Sequence, residues 1–282
     1  MHSNQNSKPA LSDLALLRAR YGDDAAPAAR ELNEVLRCLL AHRTVRAYLP
    51  EALLPGTLET LVAAAQSAPS SSNLQLWSVI AVEDAGRKAR LAQVAGGQAH
   101  VEQAPLFLVW IADLSRADRV AAARGRSMDA CDYLESFMVA AIDAGLAAQN
   151  AALAAESLGL GTCYVGAMRN DPERVAAELG LPPRALALFG MCVGREDPAQ
   201  RSAIKPRLPQ ALVAFRERYA PPQAEAELVA KYDETLAAFS RDHGMGDVTW
   251  SGRLFARMGS VKGLNGRERM RAWMQALGFE LR

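Results

Sequence analysis

Gly159-Leu160-Gly161-Thr162-Cys163-Tyr164-Val165-Gly166 decides how this chain is built, because of what stands on either side of its glycines. Before them, from about Met128 to Leu158, runs an alanine-rich segment that is apolar around most of a helical circumference. That pattern predicts a buried central helix or a subunit interface. After them, Thr162 to Gly166 reads as a short strand. A dinucleotide fingerprint needs its glycines after a strand, and its third glycine would fall here at Tyr164. A Rossmann site is therefore disfavoured.

Working outward, Trp77 to Val82, Pro105 to Ala112 and Ala187 to Val193 are the other strand candidates, separated by helical stretches and not by hairpin turns. One helix is expected from about Ala26 to Leu40, with Leu32, Val35, Leu36, Leu39 and Leu40 on one face. Another should start near Pro55 to Thr57 and stop at Ser67-Ala68-Pro69, and a third should start at Asp171-Pro172, with Asp as cap and Pro in the first turn. The pattern turns helical again after Pro221-Pro222 to about Phe239, breaks at Gly244-Met245-Gly246, and ends in a basic region. This alternation predicts a mixed α and β architecture with helices covering a sheet. Met1 to about Asp24 is polar and mixed, and is expected to fray or to form a loose leading helix.

Bulk properties bound the function. The 282 residues can bury a substantial core, half of them are apolar, and the formal charge is +1. No global field favours nucleic acid or anionic lipid. Cys38, Cys131, Cys163 and Cys192 form no C-x-x-C pair and are expected as buried reduced thiols. His2, His42, His100 and His243 lack metal-ligand spacing, so no metal site is expected. There is no Gly-Lys phosphate loop, His-Glu-x-x-His helix or Gly-x-Ser-x-Gly elbow. The longest apolar stretch is interrupted by Asp143, Gln149 and Asn150, which argues against a membrane span, and no export leader is read at the start. A cytoplasmic protein is the expectation.

Three polar clusters remain. Arg43 and Arg46 lie three apart, and a guanidinium fork suits a phosphate. Ser70-Ser71-Ser72-Asn73 offers hydroxyls, an amide and backbone donors to a phosphate or to a ring edge rich in acceptors. Lys205-Pro206-Arg207-Leu208-Pro209 carries two cations on a stiff extended segment. Each alone also reads as a solvated helix end, a plain loop or a surface turn. Together they fit one anion site assembled from distant pieces, with an anionic cofactor as occupant.

Their order along the chain carries a resemblance. His42-Arg43-Thr44-Val45-Arg46, then Ala65 to Gln75, then Gly96-Gly97-Gln98-Ala99-His100, then Gly159 to Asn170, then Lys205 to Pro209 is similar to flavin-dependent nitroreductases. The likeness is to the oxygen-insensitive NADPH nitroreductase and NADPH:flavin oxidoreductase branch, from roughly Leu32 to the C-terminus. The resemblance implies an α+β nitroreductase-like fold: a central mixed or antiparallel sheet flanked by helices, in an intertwined homodimer with one noncovalent FMN at each of two interface sites. It divides the chain into an N-terminal extension, 1–25, and an FMN-binding domain with a C-terminal helical excursion, 26–282.

Carried onto matching positions, it implies that His42, Arg43, Thr44 and Arg46 hold the ribityl phosphate and ring edge. Ser70, Ser71 and Ser72 would reach the isoalloxazine from the neighbouring subunit, and Gln98 its pyrimidine edge. Tyr164, Val165, Gly166 and Ala167 would line the ring, with Ala167 standing where these enzymes carry glycine. Lys205 and Arg207 would complete the phosphate and N1 side, and Arg267 would meet acceptor or nicotinamide. The implied activity is ping-pong two-electron transfer from NADPH or NADH, through flavin N5, to a nitroaromatic, quinone or free flavin, with no catalytic side chain. A noncatalytic nucleotide- or flavin-binding regulatory or interaction protein is the alternative. The resembling enzymes grip the NADPH 2′-phosphate with an arginine-rich loop before a Trp-Ser pair. Here Ser240 to Asp247 offers only Arg241, has His243 at an expected arginine position, and adds Asp242 and Asp247. Like charges there would repel a phosphate, so weak or lost NADPH preference is expected.

Overall fold

The computed structural model describes residues 11–22 and 31–282; these described residues fall into two compact units, one within 1–43 and 203–264, the other Thr44–Ser202 with Asn265–Arg282. The helices in chain order are α1 (Asp13–Tyr21), α2 (Glu34–Ala41), α3 (Thr57–Gln66), α4 (Ala85–Val94), α5 (Ala99–Gln103), α6 (Ser115–Ala122), α7 (Leu134–Ser157), α8 (Pro172–Leu179), α9 (Glu225–Asp242), α10 (Trp250–Met258) and α11 (Met270–Ala276). The strands are β1 (Trp77–Val82), β2 (Leu106–Asp113), β3 (Gly161–Val165) and β4 (Ala185–Gly194).

The larger unit is built on a sheet of order β1-β2-β4-β3 in which every neighbouring pair is antiparallel. The fold is thus α+β, and the sheet expected as mixed or antiparallel is antiparallel, with one isolated parallel bridge between Thr44 and Thr162. All eight residues of β2 are buried, which explains its unbroken apolar run. Gly190 on β4 leaves room for the Phe107 ring of the neighbouring β2: a Cβ there would lie 2.0 Å from it.

Behind the sheet lies α7, as the alanine pattern predicts. Ala140, Asp143, Ala144, Ala147, Ala148, Ala151, Ala152 and Ala155 form its buried face. Small side chains let it pack closely against Leu61 and Ala65 of α3 and Leu106, Leu108 and Trp110 of β2. By length and composition α7 could cross a membrane, but this face is part of the core. Its other side carries Leu134, Met138, Ile142 and Leu146, spaced by four and all exposed. Asp171 caps α8 by accepting the Arg174 N–H at 3.1 Å, with Pro172 in the first turn.

The smaller unit holds α1, α2, α9 and α10. Ser12 caps α1 by accepting the Ala15 N–H at 3.2 Å, and Leu16, Leu17 and Arg20 are buried. Of the segment expected to fray or to form a loose leading helix, Asp13–Tyr21 is a capped helix; residues 1–10 and 23–30 lie outside the described residues. Asn33 caps α2, which starts at Glu34 and not near Ala26; of the expected earlier part, 26–30 lies outside the described residues. The helix expected after Pro221-Pro222 is α9, three residues longer than read, with Tyr232, Leu236, Ala237 and Ser240 buried.

Candidate functional site

In the smaller unit, one residue that sequence reasoning passed over joins two of the polar clusters. The buried Arg20 donates from Nη1 to the Lys205 carbonyl at 2.8 Å, and from Nη2 to the carbonyls of Leu40 at 2.8 Å and His42 at 2.7 Å. Its own carbonyl accepts the Arg207 N–H at 2.8 Å, and the Tyr232 hydroxyl donates to the Pro206 carbonyl at 3.0 Å. The backbone that carries His42 and Arg43 is thereby tied to the backbone that carries Lys205 and Arg207. A guanidinium satisfies several carbonyls at once because its donors are fixed in one plane.

In the larger unit, Thr44 and Val45 run alongside β3, and Tyr48 pairs with Glu196 just past the end of β4. The Val45 N–H donates to the Thr162 carbonyl at 2.9 Å, and the buried Tyr48 hydroxyl returns to the Val45 carbonyl at 2.7 Å. Residue 161 must be glycine for this approach, since a Cβ would meet Val45 Cγ2 at 2.5 Å. Arg46 is exposed and makes no hydrogen bond or ion pair among the described residues. Beside it, burial and then the Arg46 charge hold the His100 imidazole below its ordinary value, and His100 Nε2 is buried without a hydrogen-bond partner among the described residues.

The serine loop hangs from Asp143, a buried carboxylate on the core face of α7. Asp143 accepts from the Ser70 hydroxyl at 2.7 Å, the Ser71 N–H at 3.1 Å and the Leu76 N–H at 3.4 Å. Ser70 Oγ in turn accepts the Gln75 N–H at 2.8 Å. Ser72, Asn73 and Gln75 have φ of 48°, 56° and 52°, a conformation that L residues adopt at a cost. Arg116 adds a bond to the Gln75 carbonyl at 2.8 Å. Ser70 is thus a pillar of the loop, whereas the exposed Ser71 and Ser72 hydroxyls make no hydrogen bond among the described residues.

Gln98 sits after the Gly96-Gly97 turn, where φ of +77° and +75° favours glycine, and its amide donates to the Ala95 carbonyl at 2.9 Å. Asn170 reaches the same turn by donating to the Val94 carbonyl at 3.0 Å, while its Oδ1 accepts from Arg267 Nε at 2.9 Å and Nη2 at 2.6 Å. Tyr164 is partly exposed and packs edge-on against Phe189, and Val165 is buried. A Cβ on Gly166 would lie 3.3 Å from the Arg169 guanidinium, and the Ala167 side chain joins the core cluster. Its extra methyl, relative to glycine, is therefore turned into the protein.

Different behaviour marks the stretch before Trp250-Ser251, in the smaller unit. Arg241 pairs with Asp247 at 2.5 Å, and the His243 ring packs on Phe239 at 4.2 Å while its Nδ1 lies 2.7 Å from the Phe239 carbonyl. Both candidates for a nucleotide contact are engaged with their own loop. Across the described residues, the structure joins His42 to Lys205 and Arg207 through Arg20, and Gln98 to Arg267 through Asn170. No hydrogen bond among the described residues joins Ser70, Ser71 or Ser72 to these groups.

An antiparallel α+β sheet backed by one alanine-faced helix, with glycine and arginine turns on the loops leading from it, defines the nitroreductase-like class. The chain belongs to the nitroreductase family: the family model matches residues 39–195, and the model of the family's C-terminal domain matches residues 205–282. It is 40% identical to the FMN reductase [NAD(P)H] of Bacillus subtilis over 223 residues, which is 78% of this chain and 89% of that protein. It is 36% identical to the oxygen-insensitive NADPH nitroreductase of Salmonella typhimurium over 222 residues, 78% of this chain and 89% of that one. The solved NADPH:FMN oxidoreductase of Vibrio harveyi complexed with NAD+ superposes with a TM-score of 0.79 at 32% identity, covering 89% of this chain and 100% of that one.

Proposed function

We propose that this protein is an FMN-dependent NAD(P)H oxidoreductase that passes two electrons from a nicotinamide nucleotide to a nitroaromatic, a quinone or free flavin. The observation that carries this reading is the family membership over 39–195 and 205–282, among relatives whose names specify FMN or nitro reduction. The donor set fits the cofactor. Among the described residues the Arg46 guanidinium and the Ser71 and Ser72 hydroxyls make no hydrogen bond, His100 Nε2 is buried without a partner, and Ala167 keeps its methyl in the core.

In this reading His42, Arg43, Thr44, Arg46, Lys205 and Arg207 hold the phosphate and N1 side, Gln98 meets the pyrimidine edge, and Tyr164 to Ala167 line the ring. FMN, when bound, supplies N5 as hydride carrier, so nucleotide and acceptor use one face in turn. The chain's task is to bind, orient and set charge: cations near N1 favour the reduced ring, and no protein nucleophile is needed. Ser71 and Ser72 serve the site of a second copy, and the outward Leu134, Met138, Ile142 and Leu146 stripe of α7 supports a homodimer. The FMN-binding domain spans 26–282, and a cytoplasmic location fits a nicotinamide-driven reductase. The engaged Arg241 and His243 favour little discrimination between NADPH and NADH.

The test begins with colour. A purified preparation should be yellow, release FMN on denaturation, and lose its flavin absorbance within a stopped-flow shot of NADPH or NADH. A colourless protein that cannot be reconstituted would point instead to a noncatalytic binding or interaction protein.

A further inference from the structure

Arg267 and Gln98 are far apart in sequence, yet one amide touches the framework of both. Asn170 closes the 3-10 turn Gly166–Asn170, and Asp171 follows at once as the cap of α8, so its backbone is held on both sides. Its Oδ1 accepts two N–H groups from the guanidinium of Arg267, 97 positions later in the chain, at 2.9 and 2.6 Å. Its Nδ2 donates to the carbonyl of Val94, the last residue of α4, at 3.0 Å. The next carbonyl, that of Ala95, accepts the Gln98 amide. The helix end between them is closed by the Gly96 N–H to Gln93 at 3.1 Å and the Gly97 N–H to Ala92 at 2.8 Å.

We propose that Asn170 is a positioning residue that holds Arg267 and the Gln98 turn in one fixed relation. The proposal rests on the oxidoreductase reading, in which Arg267 meets acceptor or nicotinamide and Gln98 meets the cofactor. The chemistry favours asparagine: it carries an acceptor and a donor on one short planar group, so it can face a cation on one side and a carbonyl on the other. Aspartate would keep the acceptor for Arg267 and lose the donor to Val94. Alanine would lose both, and a free arginine side chain has many rotamers to lose on binding. A guanidinium oriented in advance binds its target without that cost.

The test uses FMN-loaded enzyme and steady-state kinetics on Asn170→Ala, Asn170→Asp, Arg267→Ala and the Asn170→Ala/Arg267→Ala pair. Asn170→Ala should raise KM by about 10-fold for whichever substrate Arg267→Ala affects, the scale of a hydrogen bond to a charged group. KM for the other substrate should stay put. The double variant should be no worse than Arg267→Ala alone, because both changes remove one function. Asn170→Asp should keep that KM within about 2-fold and instead release FMN faster, since only the Val94 bond is lost; it also serves if the alanine variant folds poorly. An unchanged KM in Asn170→Ala beside a raised KM in Arg267→Ala, or additive effects in the pair, overturns the proposal and leaves the oxidoreductase reading intact. If Arg267→Ala changes no KM in an enzyme that turns over, the role of Arg267 and the proposal fall together. Failure of both nucleotides to bleach the wild-type flavin overturns the function itself.

Discussion

The loop from Ser70 to Gln75 follows a helix, and the stretch from Ser240 to Asp247 runs out of the last turn of α9; both are polar, yet they are stabilised in opposite ways. The first is held from outside: buried Asp143 and Arg116 take its backbone groups, three residues sit at positive φ, and the Ser71 and Ser72 hydroxyls stay unspent. The second closes on itself, with Arg241 on Asp247 and His243 on Phe239. A loop kept ready for a ligand needs its backbone satisfied by neighbours, so that its tips remain available. A loop whose cations are paired locally must break those pairs before it can grip an anion. In the proposed reading, the contrast pairs a loop kept ready for the cofactor with little discrimination between NADPH and NADH.

Asp143→Ala should break the first loop most severely. It leaves the Ser70 hydroxyl and two backbone N–H groups without their acceptor, and should cost about 3 kcal/mol or more, read as a lower Tm together with loss of bound FMN. Arg20→Ala comes next. Three carbonyls lose their donor, for about 2 kcal/mol, and FMN affinity should fall because the His42 and Lys205 segments are no longer tied. Gly161→Ala pushes a methyl against Val45 and should destabilise by about 1 to 3 kcal/mol in urea unfolding.

On the second loop the expected effects are smaller. Asp247→Ala frees Arg241 and should raise the NADPH to NADH ratio of kcat/KM by a few-fold, roughly the worth of an exposed ion pair. A fixed or falling ratio would show that Arg241 does not meet the 2′-phosphate. The pH response is the mildest. His100 is lowered below its ordinary 6.5 by burial and by Arg46, so the unfolded chain takes up its proton first as pH falls. Its stabilising contribution is complete above 6.5 and is lost as pH drops through the lower folded value. His100→Gln should flatten the urea-unfolding stability profile as pH falls below 6.5.

What could be read beforehand follows from which signals are local. β2 and β4 announce themselves as apolar runs because both faces of each are almost wholly covered, and their ends fall within one or two residues of expectation. The alanine face of α7 is legible for the same reason. Asp143 was visible only as an interruption of that run, although its place in the series Ala140, Asp143, Ala144, Ala147 puts a carboxylate on the buried face and could have flagged it. Its partners lie about 70 residues earlier, where no periodicity points. Arg20 was less legible still, because its partners are carbonyls, which every residue has. Motif order named the residues of the proposed cofactor site; the side chains that brace their segments required the fold.

Cofactor titration tests the central claim most directly. Apoprotein prepared by mild denaturation and refolding, titrated with FMN by flavin fluorescence quenching, should bind one FMN per chain, and Arg46→Ala should weaken that binding by about 10-fold or more without lowering Tm. Failure of the wild-type protein to bind FMN, or an Arg46→Ala variant that binds as tightly, would contradict the account.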